Sequence, residues 1–302
     1  MEETKAGPVL ITVDGYEVTV LPVPPGELEP VFNGKKLRHL FEFEKEARKV
    51  TITKVIKKGK KKGQTITSTR TVTSSAYTDA FSYCCVRDTD GGWSNLSQDE
   101  MTELLFECDR FDLKLDGGCG LLKWNDETGT WEPWTRYDAR MKNGAWKIPK
   151  DGIPCEPEPT GDDGSKLHWP HMIRCTKEHK WHLVAFELAK SRLGELTPGR
   201  DYTIEWMGTK FNHRGKEKIE PFDQPAVIVP HGSLRVMIPV PLRTFDGIKR
   251  VIEEIPQIEG LVAYLPGGNQ VKIRRDGFKE LSWPPKGDIG PLPITSAAVA
   301  LI

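Results

Sequence analysis

The sequence predicts an α+β fold in which antiparallel β-sheets carry a few covering helices. Two observations lead there. Stretches of period-two apolar alternation recur along the 302 residues, punctuated by Gly, Pro, Asn and Asp, while stretches with a helical period are few and short. No internal repeat divides the chain, and its length suits one large domain or two small ones around a substantial core.

Taken in order, Val9 to Val13 and Tyr16 to Leu21 flank Asp14-Gly15 and read as a hairpin. Pro22 to Pro30 holds four prolines and reads as a connector. Val50 to Val55 and Gln64 to Val72 alternate with period two around a basic tip, Lys57 to Gly63. That tip reads either as a solvated, edge-protecting lysine cluster or as a contact for a phosphate backbone. Ser97-Gln98-Asp99-Glu100 has the capping-box pattern and opens a helix from Glu100 to Glu107.

Trp131 to Asp138 reads as a strand, and Asn143 to Pro170 as a long Gly-, Pro- and Asp-rich excursion. Trp181 to Leu193 reads as a helix and Tyr202 to Met207 as a strand. Ala226 to Val229 and Leu234 to Val240 read as a hairpin around Pro230-His231-Gly232. Ile248, Val251, Ile252 and Ile255 mark one helix face. Gly260 to Tyr264 and Gln270 to Ile273 are the last strands, joined across Pro266 to Asn269.

Forty-three basic and 43 acidic residues cancel, so no global field marks a nucleic-acid binder, although a local patch can act as one. Six cysteines without paired spacing, no signal-peptide pattern and no apolar run of spanning length give the expectation of a soluble cytoplasmic protein, with no membrane and no obligate protein partner.

The chemistry centres on Asp112-Leu113-Lys114-Leu115-Asp116-Gly117-Gly118-Cys119-Gly120. Alternation predicts a strand, a tight glycine turn and a returning strand from Gly120 to Trp124, with Lys114 and Asp116 on one face. Lys114-Leu115-Asp116-Gly117 resembles the Lys-x-Asp-Gly attachment motif of the covalent nucleotidyltransferases, the superfamily of ATP-dependent ligases and capping enzymes. Three further segments match in that superfamily's order. Tyr202 to Gly208, continuing to Asn212, resembles its glutamate strand, here with Glu205. Glu259-Gly260-Leu261-Val262 resembles its Glu-Gly-apolar-Val strand. Val271-Lys272-Ile273-Arg274 resembles its Lys-x-Lys element, with arginine in the second basic position.

The resemblance implies a nucleotidyltransferase (ATP-grasp-like ligase) core, with thirty residues after Lys272 leaving no room for a C-terminal oligonucleotide-binding barrel. It implies ATP and Mg²⁺ (or Mn²⁺) as cofactors. Lys114 would be the nucleophile that takes AMP. Because a free lysine titrates near ~10.4, partial desolvation and the neighbouring cation Lys272 are expected to lower its pKa. Lys272 would also neutralise the α-phosphate. Glu205 and Glu259 would serve as oxygen ligands for metal, and Asp116 would orient the lysine or a metal-bound water.

Asp112 reads either as the acid that meets the adenine amino group or as an ordinary strand-edge carboxylate. Arg136 reads as a ribose or phosphate contact or as a partner of Asp138. Gly117 would allow the turn and the approach of the sugar, and Arg274 keeps the charge of the final element. Trp206 and Phe211 are candidates for stacking on adenine or for plain core.

Trp134-Thr135-Arg136, His168-Trp169-Pro170, Val229 to Ser233, Thr244 to Lys249 and Lys279 to Pro284 resemble the compact ATP-dependent 5′-to-3′ RNA ligases known from animals, with microbial and viral relatives. The implied activity joins RNA 5′-phosphate and 3′-hydroxyl ends through lysyl-AMP and adenylated RNA. Residues 96–302 would form the adenylation domain and residues 1–95 a β-rich extension that contacts RNA. The alternatives are a DNA ligase, a GTP-using capping enzyme, and a non-catalytic nucleic-acid-binding module. Cys155, His168, His171, Cys175, His179 and His182 raise zinc as a further reading, against which stands the lack of any Cys-x-x-Cys.

Overall fold

In the computed structural model, residues 7–29, 37–40, 42–55, 63–82, 85–87, 93–95, 98–108, 110–142, 144–159, 168–211, 224–266, 270–286, 289, 292, 294 and 300–301 are described. Strands β1 (Val9–Val13) and β2 (Tyr16–Pro22) form the expected hairpin. Asp14 and Gly15 both take positive φ, 50° and 80°, the turn whose twist suits a two-residue loop. Val18 and Val20 face inward and are buried, so β2 must pack against another strand rather than stand free.

The remaining strands are β3 (Arg38–His39), β4 (Glu42–Val55), β5 (Thr65–Ser82), β6 (Cys85–Arg87), β7 (Trp93–Asn95), β8 (Arg110–Lys114), β9 (Gly118–Asn125), β10 (Thr130–Lys142), β11 (Ala145–Trp146), β12 (Ile153–Pro154), β13 (His168–Arg174), β14 (Tyr202–Met207), β15 (Val227–Pro230), β16 (Leu234–Met237), β17 (Gly260–Tyr264) and β18 (Gln270–Arg274). The helices are α1 (Gln98–Phe106), α2 (Lys180–Ala189) and α3 (Phe245–Glu254). The fold is mixed α+β with antiparallel sheets and few helices.

Sheet one has the order β1-β2-β16-β8-β17-β18-β3, antiparallel throughout except for the β18–β3 pair. Sheet two has the order β12-β13-β10-β9-β14-β15, with β11 attached to β10. Strands β4 and β5 pair with each other, as do β6 and β7. Sheet one draws strands from both sides of the division expected at residues 95/96, because the apolar face of β2 is completed by β16.

Each sheet has its helix. Ile248, Val251 and Ile252 of α3, with Ile255 just beyond, are buried in the same cluster as Val13, Phe111, Leu261 and Ile273 of sheet one. The Thr244 hydroxyl caps α3 by accepting from the Gly247 N–H at 3.1 Å, a contact worth ~1 kcal/mol. Ala185 and Ala189 of α2 are buried with Tyr202, Ile204, Trp206 and Ile228 of sheet two. The small alanines let the helix lie close to the strands. No helix among the described residues is long and apolar enough to cross a membrane.

Two expected hairpins are not hairpins. β9 does not return along β8 but pairs with β10 and β14 in sheet two, because both edges of β8 are taken by β16 and β17. Likewise β15 pairs with β14 whereas β16 pairs with β2 and β8. The links 115–117 and 231–233 therefore carry the chain from one sheet to the other and back.

The excursion expected from Asn143 to Pro170 contains β11, β12 and the start of β13, whose alternation Pro170 interrupts. The helix expected to reach Leu193 ends at Ala189 and gives way to a 3₁₀ turn at Leu193–Glu195. Lys57 to Lys62 of the basic tip, Ser97 of the capping box, Asn212 of the glutamate segment and Gly267 to Asn269 of the last turn lie outside the described residues.

Candidate functional site

The strand registers bring the singled-out residues together. In sheet one, Lys114 lies opposite Gly260, which lies opposite Arg274. Two residues away, Asp112 lies opposite Val262 and Val262 opposite Lys272. Directly opposed and i, i+2 positions share a face, so Asp112, Lys114, Lys272 and Arg274 form one polar patch. In sheet two, Glu205 lies between Cys119 and Val229.

The two faces border one cavity of about 510 Å³ at the place where the chain changes sheets. Asp112, Lys114, Asp116, Gly117, Arg136, Glu205, Glu259, Lys272 and Arg274 all line it, as do Cys119, Asp138, His231 and Tyr264.

Glu259 is the hub. One carboxylate oxygen is hydrogen-bonded to the Lys114 ammonium, and the other lies 2.9 Å from Arg274 Nε. Backbone bonds fix it there: its N–H donates to the Lys114 carbonyl at 2.9 Å, and its carbonyl accepts from the Arg275 N–H at 2.8 Å. Arg274 also donates to Asp276 at 2.9 Å.

Glu205 sits across the cavity. It accepts from the Gly117 N–H at 2.9 Å and lies 3.0 Å from His231 Nε2. Glu205 thus joins β14 to both crossover links, whereas Glu259 joins β8 to β18 within sheet one.

The electrostatics overturn one expectation. Burial on its own lowers the Lys114 pKa, but Glu259, Glu205 and Asp116 outweigh it and hold the pKa above the ordinary lysine value. The expected net fall is therefore not found: the carboxylates set the direction of the shift. Glu259 in turn resists burial and is held below the usual carboxylate range by Lys114, Arg274 and Lys272. Lys114 and Glu259 rest as a charged pair.

Asp116 is pushed up, chiefly by burial, while a hydrogen bond from Trp283 works the other way. Burial pushes the Cys119 thiol up to about 12, so it is no thiolate nucleophile.

Asp112 is not a strand-edge carboxylate, because β8 lies between β16 and β17. It is buried at 3 % exposure and held from both sides by Arg110, with Nε 3.0 Å from Oδ1 and Nη2 2.7 Å from Oδ2. Arg110 also donates to the Tyr264 hydroxyl at 2.8 Å. Arg136 both lines the cavity and stands 3.4 Å from Asp138 Oδ1.

A side chain at Gly117 would put Cβ 2.4 Å from the Trp206 carbonyl and 2.5 Å from Met207 Sδ. β14 makes that close approach. Trp206 is fully buried and stacked on Phe211 at 6.0 Å and 27°, so both are core.

The sequence reading assigned no site role to Arg110, His231, Tyr264 or Trp283. Arg110 had a signal, since it stands two residues before Asp112 on the same strand face. Trp283 had none, being 167 residues from Asp116.

A triphosphate suits the donor set, with Lys114, Arg136, Lys272 and Arg274 around one cavity. For a divalent cation, Glu205 and Glu259 keep unused lone pairs on their oxygens. Among the described residues, no three His, Cys, Asp or Glu side chains form a metal cluster. A cation here would complete its shell with phosphate oxygens and water. The same finding covers the six Cys and His positions from 155 to 182. His171 is satisfied by the Trp169 carbonyl at 2.9 Å, and His179 accepts from the Thr176 N–H at 3.0 Å.

The chain matches no protein-family profile, no curated protein and no solved structure.

Proposed function

We propose that this chain is an ATP-dependent RNA ligase that joins 5′-phosphate to 3′-hydroxyl ends, with a nucleotidyltransferase core made of the two sheets around the cavity. The observation that carries the reading is the ion pair of Lys114 and Glu259, set in a cavity shared with Lys272, Arg274 and Arg136.

In the first step the Lys114 amine forms a P–N bond to the α-phosphorus of ATP as the α–β anhydride breaks and pyrophosphate leaves. In the second the RNA 5′-phosphate takes the AMP and frees the lysine. In the third the 3′-hydroxyl attacks and AMP departs.

Lys114 must first give up a proton, and Glu259, itself held below the usual carboxylate range, keeps the lysine charged rather than taking that proton. The resting pKa is a contest between burial, which lowers it, and carboxylates, which raise it. Neutralising Glu259 removes the largest upward influence and shifts the balance toward loss of the proton to water. A divalent cation held by Glu205 and Glu259 would supply that neutralising charge and screen the phosphates. Lys272 and Arg274 border the cavity beside Lys114, where charge builds on the α-phosphate, and Arg136 faces them from sheet two.

Incubation with α-labelled ATP and Mg²⁺ tests the reading. Label should survive denaturation on the wild type and be lost in Lys114→Ala. An adduct from GTP but not ATP would point to capping instead. Folded protein that takes label from neither would leave a binding module.

A further inference from the structure

Strands β4 and β5 run for 14 and 18 residues and, among the described strands, pair only with each other. At ~3.3 Å per residue the ribbon is ~45–60 Å long. A lone two-stranded ribbon is marginal in water, so its length calls for a ligand.

Its charge says which kind. From Ala47 to Thr78, the outer part of the ribbon with the sequence that links its strands, the chain has nine lysines and arginines and no acid, whereas Glu42, Glu44, Glu46 and Asp79 belong to the inner ends of the two strands. Outside that window the chain carries nine more acids than bases, so the positive charge of the ribbon is concentrated away from its root. Its ligand is a polyanion.

Composition narrows the choice. The ribbon's aromatics, Phe43, Tyr77 and Phe81, fall at its inner end by register, and from Ala47 to Ala76 there is no Phe, Tyr or Trp, whereas surfaces that hold single strands rely on aromatic platforms for the bases. Threonine abounds instead. By register Thr51 opposes Thr69 and Thr53 opposes Thr67. Thr53, Thr65, Thr67 and Thr69 are exposed. Hydroxyls and cations without aromatics read phosphates and 2′-hydroxyls, the groups a double helix leaves accessible.

The root of the arm is at the cavity. His39 pairs with Lys272, the Leu40 N–H donates to the Lys272 carbonyl at 2.9 Å, and β4 starts at Glu42.

We infer that the β4–β5 ribbon is a backbone-reading arm for double-helical RNA, and that the breaks brought to Lys114 lie within or beside duplex. The second clause rests on the ligase reading; the first does not.

Fluorescence anisotropy on the full chain tests it, with a labelled RNA stem-loop, a DNA stem-loop of the same sequence and an oligouridine of equal length. The stem-loop RNA should bind at least ~10-fold more tightly than oligouridine, with the DNA weaker than the RNA. In R48Q/K49Q/K54Q/R70Q the slope of log K against log [salt] should become shallower by ~3–4, at ~0.9 per lost phosphate contact, with binding near 0.1 M salt weaker by ~10³-fold or more. T53V/T67V, which keeps the charge and the β-branched shape, should narrow the RNA-over-DNA preference.

Equal affinity for stem-loop RNA and oligouridine, equal affinity for RNA and DNA, or unchanged binding by a folded quadruple variant would each overturn the inference. Labelling with ATP alone runs on the same samples. Adduct in wild type and quadruple variant alike separates the arm from the chemistry. Duplex binding without any adduct sinks the ligase reading and leaves the arm standing.

Discussion

Trp283 Nε1 donates to Asp116 Oδ2 at 2.8 Å, so the segment after β18 steadies the carboxylate two residues beyond Lys114. Burial raises the Asp116 pKa, and the indole donation opposes that rise. Removing the donor in Trp283→Phe should raise it further, since the carboxylate loses a hydrogen bond and the neutral acid does not. The acidic limb of the pH–adenylation profile is expected to move to higher pH, with the rate at pH 6 falling more than the rate at pH 8. Stability should drop by ~1–2 kcal/mol. An unmoved limb in a folded variant would remove Asp116 from the rate-determining protonation state.

Glu259→Gln removes the leading upward influence on Lys114 and leaves burial in place. The amine should then deprotonate at lower pH than in the wild type. Labelling by an amine-reactive ester, read by mass spectrometry across pH 6 to 11, checks this with the unmodified lysines as internal standards. Adenylation should nonetheless fall, by ~100-fold or more, because Glu259 also holds Arg274 in place.

The same pair predicts how stability follows pH. Glu259 has a folded pKa below its unfolded value, so its contribution is complete above ~4.3 and fades as pH falls through the folded value. Lys114 is raised, so its contribution is complete below ~10.4 and fades as pH rises through its folded value. Thermal midpoints should be flat between those limits as far as this pair is concerned. Glu259→Gln should lose the acid-side dependence of this pair and lower the thermal midpoint at neutral pH, because the part-buried Lys114 ammonium keeps only Glu205 and Asp116.

Gly117→Ala places a methyl against the Trp206 carbonyl, where no flexible side-chain end can yield. Either β14 shifts or the 115–117 link does, and Glu205 loses its bond to the Gly117 N–H in both cases. A loss of ~1–3 kcal/mol in urea denaturation is expected, together with impaired labelling of Lys114. Gly118→Ala is the control, since its added Cβ would stand 3.6 Å from the nearest neighbour, Trp206 Cβ. Comparable damage from both would mean that Gly117 has no special role.

Periodicity was a good guide to where strands and helices lie. The β1–β2 hairpin, the buried stripe of α3 and the β17–β18 pair could all be read directly. Periodicity was silent about partners. Nothing in Leu113 or Leu121 tells which sheet each joins, because a strand buried on one face looks alike wherever its hydrogen bonds go. Hence β8 and β9, and again β15 and β16, looked like hairpins.

The candidate residues gather in one cavity because they lie on strands that happen to be neighbours. Their charge states were not legible. Lys114 was expected to be depressed by Lys272, but its pKa follows Glu259, 145 residues away in sequence. Trp283 escaped notice for the same reason, since it matters through Asp116, a partner that folding supplies.

The two links between the sheets have a mechanical consequence. β8 and β16 are hydrogen-bonded neighbours, Asp112 opposite Arg235 and Phe111 opposite Val236. Everything from β9 to β15 is therefore suspended between two adjacent strands, like a leaf on a double hinge pin. Lys114 is the last residue of one pin, and Gly232 and Ser233 border the other. Any displacement of one sheet against the other would have to be taken up at these links, and because 115–117 directly follows Lys114 it would carry the amine with it.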